Sequence, residues 1–293
     1  MDDNQWLAER FEAHRAQLKA VAYRMLGSVS EADDAVQEAW IRLSRSDAGE
    51  IGNLGGWLTT AVARVSLNML HARRTRREES LDAVHVPEPI VDRVDGTDPE
   101  HEALLADSMG LALLVVLEKL SPAERLAFVL HDMFAVPFDQ IAPIVDRSPE
   151  AARQLASRAR RRVRLEETVP DSDPRTQCEV VEAFLVAARE GDFDRLVCVL
   201  HPDAVLRADV GPAPGSGEVR GAEAIARQAV TFSRLGLAIE LALINGAVGV
   251  VTRRDGEPES VAGFTVRGGR IATIDILADP ERLRRLDLTP LDW

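Results

Sequence analysis

Between Arg147 and Arg164 the chain carries seven arginines against a single acid, Glu150. On a helical wheel at about 100° per residue, Ala152, Ala156, Ala159 and Val163 fall on one face, with Leu155 at its edge. Arg153, Ser157, Arg160, Arg161 and Arg164 fall opposite. An alanine stripe permits close packing on another helix, while guanidinium forks suit both phosphates and the O6/N7 edge of guanine. The preceding Gln140-Ile141-Ala142 and the tight connection Asp146-Arg147-Ser148 complete a helix-turn-helix pattern. Pro143 disturbs the short first helix by removing a backbone donor. An ordinary helical hairpin with a solvated arginine face is the competing reading.

A second basic stripe, Arg64, Arg73, Arg74, Arg76 and Arg77, has no acid between residues 64 and 77. With Trp57 and Asn68 it offers stacking and backbone contacts to single-stranded DNA. The alternative is a core tryptophan and a solvated basic helix end, which also suits the helix dipole. The segment Glu31–Arg45 is the reverse case. Ala32, Val36, Ala39 and Leu43 make its core stripe, and Asp33, Asp34, Gln37, Glu38, Trp40 and Ile41 spread around the other side. Acids interleaved with Ile and Trp suit a protein-contact surface; a solvated face is the plainer alternative.

The chain as a whole is no polycation: 35 basic against 48 acidic residues give a net charge of −13 over 293 residues. The basic stripes are local, and residues 81–107 between them hold eight acids against Arg93 alone. Two cysteines, Cys178 and Cys198, exclude a disulfide framework and a four-cysteine zinc site. No metal or cofactor is expected. The mixed acidic N-terminus does not read as a signal peptide, and the longest apolar run, Leu111–Leu117, is too short to span a bilayer. A cytoplasmic protein without membrane contact is the expectation.

The elements that must position these residues follow from apolar spacing. Gln5 to about Arg77 reads as helical, with Leu18, Val21, Ala22, Met25 and Leu26 on one face. Gly49–Gly56 reads as a loop and the third helix as Trp57 to about Arg76. Residues 82–107 read as a linker whose Val86-Pro87-Glu88-Pro89 must be extended. Helices resume from about Asp107 to Leu120, and Ser121-Pro122-Ala123-Glu124 is a capping box. Short helices follow at about 138–145 and 149–164. After Pro170, helices at about 175–190, 192–200 and 221–234 precede four β runs at about 237–244, 247–253, 260–267 and 270–277. Asn245-Gly246 and Gly268-Gly269 are hairpin signals between them. The tail is thus an α+β domain of helices followed by an antiparallel meander.

Three of these elements, in this order, resemble bacterial sigma factors of the extracytoplasmic-function group. Asp33-Asp34-Ala35-Val36-Gln37-Glu38-Ala39-Trp40-Ile41-Arg42-Leu43 looks like the polymerase-binding signature of region two. Trp57 through Arg64, with Asn68, Arg73 and Arg74, is similar to that region's promoter-melting segment, and Leu120 through Arg164 looks like region four. Pro143 and Asp146 depart from the family's turn, which normally has a continuing helix and a glycine there. The tail from about Thr176 resembles the SnoaL-like cone fold (Gly191-Asp192-Phe193-Asp194, Leu200-His201-Pro202-Asp203).

The resemblance implies a multidomain chain: two all-α sigma domains, a region-two helical bundle and a region-four helix-turn-helix, plus a C-terminal α+β SnoaL-like cone. The boundaries expected are 1–81, an acidic linker at 82–107, 108–168 and 169–293. It also implies RNA polymerase core and promoter DNA as partners, with transcription initiation rather than catalysis as the activity. Asp33, Asp34, Gln37, Glu38, Trp40 and Ile41 would contact polymerase. Arg153, Gln154, Ser157, Arg158 and Arg161, with Trp57, Asn68, Arg73 and Arg74, would contact DNA. In the subgroup with such a tail, a proline-flanked linker motif and two tail motifs accompany regulation in cis. Here they correspond to Pro87, Glu88 and Pro89, to Asp209-Val210-Gly211, and to Asp279 and Pro280 in Ala278-Asp279-Pro280-Glu281.

The cone fold also hosts isomerases and cyclases, so fold alone does not decide the tail's role. The chain's single tyrosine, Tyr23, lies outside the tail, which excludes a tyrosine oxyanion donor there. His201, Asp203, Asp209 and Asp275 remain as acid or base groups, or else as a helix cap and strand ends. A small-molecule ligand in the tail stays open beside a purely structural regulatory role. Two other readings compete for the whole chain: a ligand-sensing repressor or activator that binds duplex alone, and a small-molecule enzyme. The linker's 26 residues reach about 88 Å fully extended but average only about 28 Å as a flexible coil. Promoter elements in the family it resembles lie further apart than that average, so the resemblance implies a linker held stretched when working, whereas in the free chain the two DNA-binding regions can collapse together.

Overall fold

The computed structural model describes residues 3–46, 51–77, 84–94, 96, 110–165, 173–212 and 215–291. They fall into two compact units, one built from residues within 1–81 and 116–167, the other from residues within 82–101, 107–115 and 168–293.

The first unit is all-helical. Helices α1 (Asp3–Leu26), α2 (Val29–Ser44) and α3 (Leu54–Arg77) pack together. Leu18, Val21, Ala22, Met25 and Leu26 are buried as their spacing requires. Ser28 caps α2 by accepting from the Glu31 amide at 3.4 Å. Helix α3 starts three residues earlier than its sequence suggests, because Asn53 Oδ1 accepts from the Gly56 amide at 3.0 Å and caps the glycine pair into the first turn. Helix α4 (Leu111–Glu118), whose residues 111–115 belong to the second unit, leads to α5 (Pro122–Phe128), opened by the expected capping box and extended by a π turn over Val129–Met133.

A four-residue helix α6 (Phe138–Ile141) and α7 (Pro149–Leu165) complete this unit. The helix expected over 138–145 thus stops at Ile141; Ala142 is its C-cap, Pro143 comes next, and Asp146 takes a left-handed φ of 54°. The aspartate therefore adopts the backbone conformation that a glycine would supply. Ala152, Ala156 and Ala159 are fully buried as α7 packs on α5.

The second unit contains α8 (Pro174–Glu190), α9 (Phe193–Val199) and α10 (Ala222–Ser233) against a curved mixed sheet. Its strands are β1 (Val91–Asp92), β2 (Leu200–Asp209), β3 (Gly217–Arg220), β4 (Ala238–Ile244), β5 (Ala247–Arg254), β6 (Glu257–Arg267) and β7 (Arg270–Leu277). The order is β1-β4-β5-β6-β7-β2-β3, antiparallel except for the parallel β2–β7 pair. The meander β4–β7 lies where the alternation and turn residues put it. Strands β2 and β3 carry no such signal. The stretch His201-Pro202-Asp203 opens β2 rather than capping a helix, and the register shifts between Leu200 and Val205.

Both faces of this sheet are covered. On one, Val248, Val250, Ala262, Phe264 and Ile274 pack with Val181, Phe184, Leu196 and Ile225 of the three helices. On the other, Ala242, Ile244, Val251, Val261 and Leu277 pack with Val86 and Val91, with Leu111 and Val115 of α4, and with Leu283, Leu288 and Leu291 near the C-terminus. Residues expected to form a plain connector thus form part of this core. Val91 and Asp92 extend the sheet by pairing with Ile244 and Leu243. Among the described residues no helix is long and apolar enough to cross a membrane.

Candidate DNA, polymerase and linker contact surfaces

Helix α7 presents the basic face its sequence lays out. Arg153, Gln154, Ser157, Arg158 and Arg161 are exposed, opposite the buried alanines. Ser157, Arg160, Arg161 and Arg164 line an open groove of about 320 Å³. Several arginines are already positioned from below. Glu124 on α5 holds Arg158 Nε at 3.2 Å and Arg162 Nη1 at 3.1 Å, Asp132 holds Arg160, and the Arg153 guanidinium lies 5.6 Å from the Phe138 ring centre. Burial pushes the Glu124 carboxyl up, but its bonds to Ser121 and the charges of Arg162 and Arg158 outweigh this and leave it below the usual range. The face keeps a concentrated positive charge while fixing which guanidinium forks point outward.

The α3 stripe is less uniform. Asn68 is exposed and Trp57 half-buried, whereas Arg73 is occupied: Nη1 donates to Leu26 O at 3.0 Å, and the Nη2 group pairs with Glu31. Glu118 lies 3.8 Å from Arg73 as well. The Arg74 side chain lies outside the described residues. On α2, Asp34 and Gln37 are exposed and Ile41 is half-buried. Asp33 pairs with Lys19 at 3.1 Å and Glu38 with Arg42 at 2.9 Å. Trp40 packs its ring 5.0 Å from Phe11, so part of its surface belongs to the helical core.

The second unit joins the linker motif to the tail motifs. Asp209 closes β2, and its Oδ2 accepts from the Val86 amide at 3.0 Å, from Arg282 Nη1 at 2.7 Å, and lies 3.2 Å from His85 Nδ1. Arg282 also donates through Nη2 to Val86 O, and its Nε lies 3.7 Å from Glu88. Pro87 and Pro89 are buried and Glu88 half-buried. Asp209 Oδ1 accepts from the Gly211 amide at 3.1 Å. Burial would raise the Asp209 carboxyl, but the bonds from His85, Val86 and Gly211 and the Arg282 charge lower it to about 2.

Among the described residues Asp279 makes no hydrogen bond to the linker. It caps the helix α11 (Pro280–Leu283), accepting from the Glu281 amide at 2.8 Å and the Arg282 amide at 3.3 Å, and so orients Arg282. Pro280 is the exposed first residue of that helix. Gly211 has a φ of 72°, and a Cβ there would lie 2.6 Å from Asp279 Oδ2, so glycine joins the two tail motifs. A second clamp sits at the far end of the motif. Ile90 N–H donates to Asn245 Oδ1 at 3.0 Å, and the Asn245 amide donates to Ile90 O at 2.9 Å.

His85, Arg282 and Asn245 contact the linker motif or its partners, and the sequence did not single them out for this. Asn245 was visible as a hairpin residue; its side chain has the further role of pairing with linker backbone. Nothing in the local sequence of Arg282 announces it. The acid and base groups of the tail do not assemble into a reactive cluster: Asp275 is neutralised by Arg207 at 2.9 Å in full burial, Asp209 by Arg282, and the Asp203 amide donates to His201 Nδ1. Among the described residues no group of histidine, cysteine, aspartate and glutamate could hold a metal ion.

Comparison with known proteins places these surfaces in a family. Residues 10–78 match the model for sigma-70 region 2, and residues 110–163 match that for sigma-70 region 4. The chain is 39% identical over 287 residues to the ECF RNA polymerase sigma factor SigJ of Mycobacterium tuberculosis, covering 93% of this chain and 91% of that one. It is 34% identical to a probable ECF RNA polymerase sigma factor, SigI, of the same organism, covering 97% of each. The crystal structure of SigJ superposes with a TM-score of 0.78 at 38% identity, spanning 96% of this chain and 99% of that chain. The match runs through the C-terminal α+β domain as well as both helical regions. The chain therefore belongs to the extracytoplasmic-function sigma factors, non-enzymatic initiation factors that bind RNA polymerase core and direct it to promoter DNA.

Proposed function

We propose that this sigma factor is restrained in cis by its C-terminal α+β domain, which grips the connector between the two DNA-binding regions. The observation that carries this reading is the clamp of Asp209 and Arg282 on both backbone polar groups of Val86. The grip uses main-chain atoms held extended by Pro87 and Pro89, so it depends on the motif's shape as much as on its side chains. A connector that lies on the sheet cannot at the same time be stretched toward its reach of about 88 Å. Docking on the tail and spanning a promoter are therefore alternative states, and the tail biases the equilibrium between them.

In the released state α2 docks on polymerase through Asp33, Asp34, Gln37, Glu38, Trp40 and Ile41. Trp57, Asn68, Arg73 and Arg74 hold the melted strand, and Arg153, Gln154, Ser157, Arg158 and Arg161 read the upstream element, Arg158 through phosphate. Run-off transcription with core polymerase, comparing the native chain with a Pro87→Ala/Pro89→Ala variant, tests the grip. More transcript from the variant is expected; equal output together with unchanged linker protection in hydrogen exchange would overturn it.

A further inference from the structure

We infer that Phe138 is a positioning residue: together with His131 it fixes the Arg153 guanidinium, so that this arginine reads one base pair of the upstream promoter element. The inference rests on the reading above that Arg153 contacts DNA, and it concerns region four alone.

Arg153 lies in the second turn of α7 and is exposed. An unrestrained arginine side chain samples many rotamers and must give them up on binding. Here its guanidinium lies over the Phe138 ring, 5.6 Å from the centre, and Glu150 Oε1 stands 3.6 Å from its Nη1. The ring face is negative and attracts the cation without offering a directed acceptor. Orientation is thus gained while N–H donors of the fork stay available for a guanine edge. An aliphatic side chain could occupy the half-buried position of Phe138, but it would offer Arg153 no π face.

Phe138 is held in its turn. It opens α6, whose Ile141 is buried, as are Ala142 and Ile144 beyond it. The His131 ring stacks on Phe138 with centroids 3.8 Å apart. His131 Nδ1 lies 3.0 Å from Val136 O; a carbonyl only accepts, so this bond places a proton on Nδ1 and sets the imidazole plane. The π turn over Val129–Met133 carries His131, and Ala135, at a left-handed φ of 54°, reverses the chain so that Val136 meets it. The next residue of that turn, Asp132, pairs directly with Arg160, about 10 Å further along α7 than Arg153. One π turn therefore orders two guanidinium groups of the basic face, Arg160 by charge and Arg153 through an aromatic stack.

The test uses holoenzyme assembled from core polymerase and the full chain, with a duplex pool randomised across both promoter elements and the bound fraction sequenced. Arg153→Ala identifies the base pair concerned, as the one whose preference falls by about fivefold or more. Phe138→Leu keeps apolar bulk and removes the ring. It should weaken preference at that same pair by about twofold to fivefold and leave the other positions unchanged. Phe138→Tyr keeps the ring and should retain the preference. In the Arg153→Ala background Phe138→Leu should add nothing at that pair. His131→Ala, which leaves Phe138 in place without its stacking partner, gives an independent reading and should produce a smaller loss at the same pair. Intact preference in both Phe138→Leu and His131→Ala overturns the positioning role and leaves Arg153 as a DNA contact. A loss spread over all positions, or one that persists without Arg153, overturns it equally, since packing alone would act that way. If Arg153→Ala alters no position, the DNA reading of Arg153 falls and the inference with it.

Discussion

Asp209 and Arg282 meet at 2.7 Å and between them take both the N–H and the C=O of Val86, so one ion pair fixes one residue of the linker by its backbone. The pair is largely shielded from water, with side-chain exposures of 6% and 13%. Removing one partner leaves the other charge poorly compensated, which is the costly case for a buried pair. Asp209→Asn should therefore lower the stability of the second unit by about 2 kcal/mol. Chemical unfolding followed on this unit would show it as a lower midpoint at an unchanged slope. Arg282→Met should act in the same direction, and the double variant should lose less than the sum of the two.

The same carboxyl makes the grip sensitive to acid. Its folded value, about 2, lies below the unfolded carboxylate value of 3.8, so its contribution to stability is complete above the unfolded value. That contribution is lost as pH falls from about 4 toward 2. Hydrogen exchange at the Val86 and Ile90 amides, measured at decreasing pH, should lose protection at Val86 first. Ile90 is held by the uncharged side chain of Asn245 and should follow only global unfolding.

Gly211 offers a test without any change of charge. Its φ of 72° and the 2.6 Å approach of Asp279 Oδ2 leave no room for a methyl group. Gly211→Ala should cost about 1–3 kcal/mol through backbone strain and displacement of the α11 cap. The loosened cap should misplace Arg282 and weaken the grip, read as faster exchange at Val86. Gly263→Ala tests the packing of Leu111 on β6 more mildly, since a Cβ there would sit 3.2 Å from two Leu111 atoms. Its effect should appear in the packing of Leu111 and not at Val86.

On the DNA face the arginines should separate by role. Arg153→Ala should cost about 1–3 kcal/mol on the specific promoter and relax the preference for one base pair. Arg158→Ala should weaken all duplexes alike and reduce the salt slope by about 1. Duplex binding by fluorescence anisotropy over a range of salt concentrations distinguishes them. Glu124→Gln, which releases Arg158 and Arg162, should tighten nonspecific binding.

Much of this was legible from residue order because local rules agree with the fold. The alanine stripe of α7, the Ser121–Glu124 capping box and the Asn-Gly and Gly-Gly hairpins each specify their element from within a few residues. Strands β2 and β3 were not legible, because Pro202, Asp203, Arg207 and Asp209 break the apolar alternation; Arg207 is stabilised by Asp275, 68 residues away. The start of α3 was hidden by its glycines, although Asn53 supplies the cap. The linker's attachment depends on partners 123 to 197 residues distant, and no periodicity encodes such a contact. Arg73 illustrates the remaining gap: its type and spacing match a DNA contact, while its present partners, Leu26 and Glu31, lie in its own region.

The measurement that tests the account most directly is run-off transcription by core polymerase with the full native chain and with its Asp209→Asn/Arg282→Met variant. Restraint through the linker predicts more transcript from the variant, at equal sigma concentration and with both proteins folded by circular dichroism. Equal or lower output from a folded variant would contradict it.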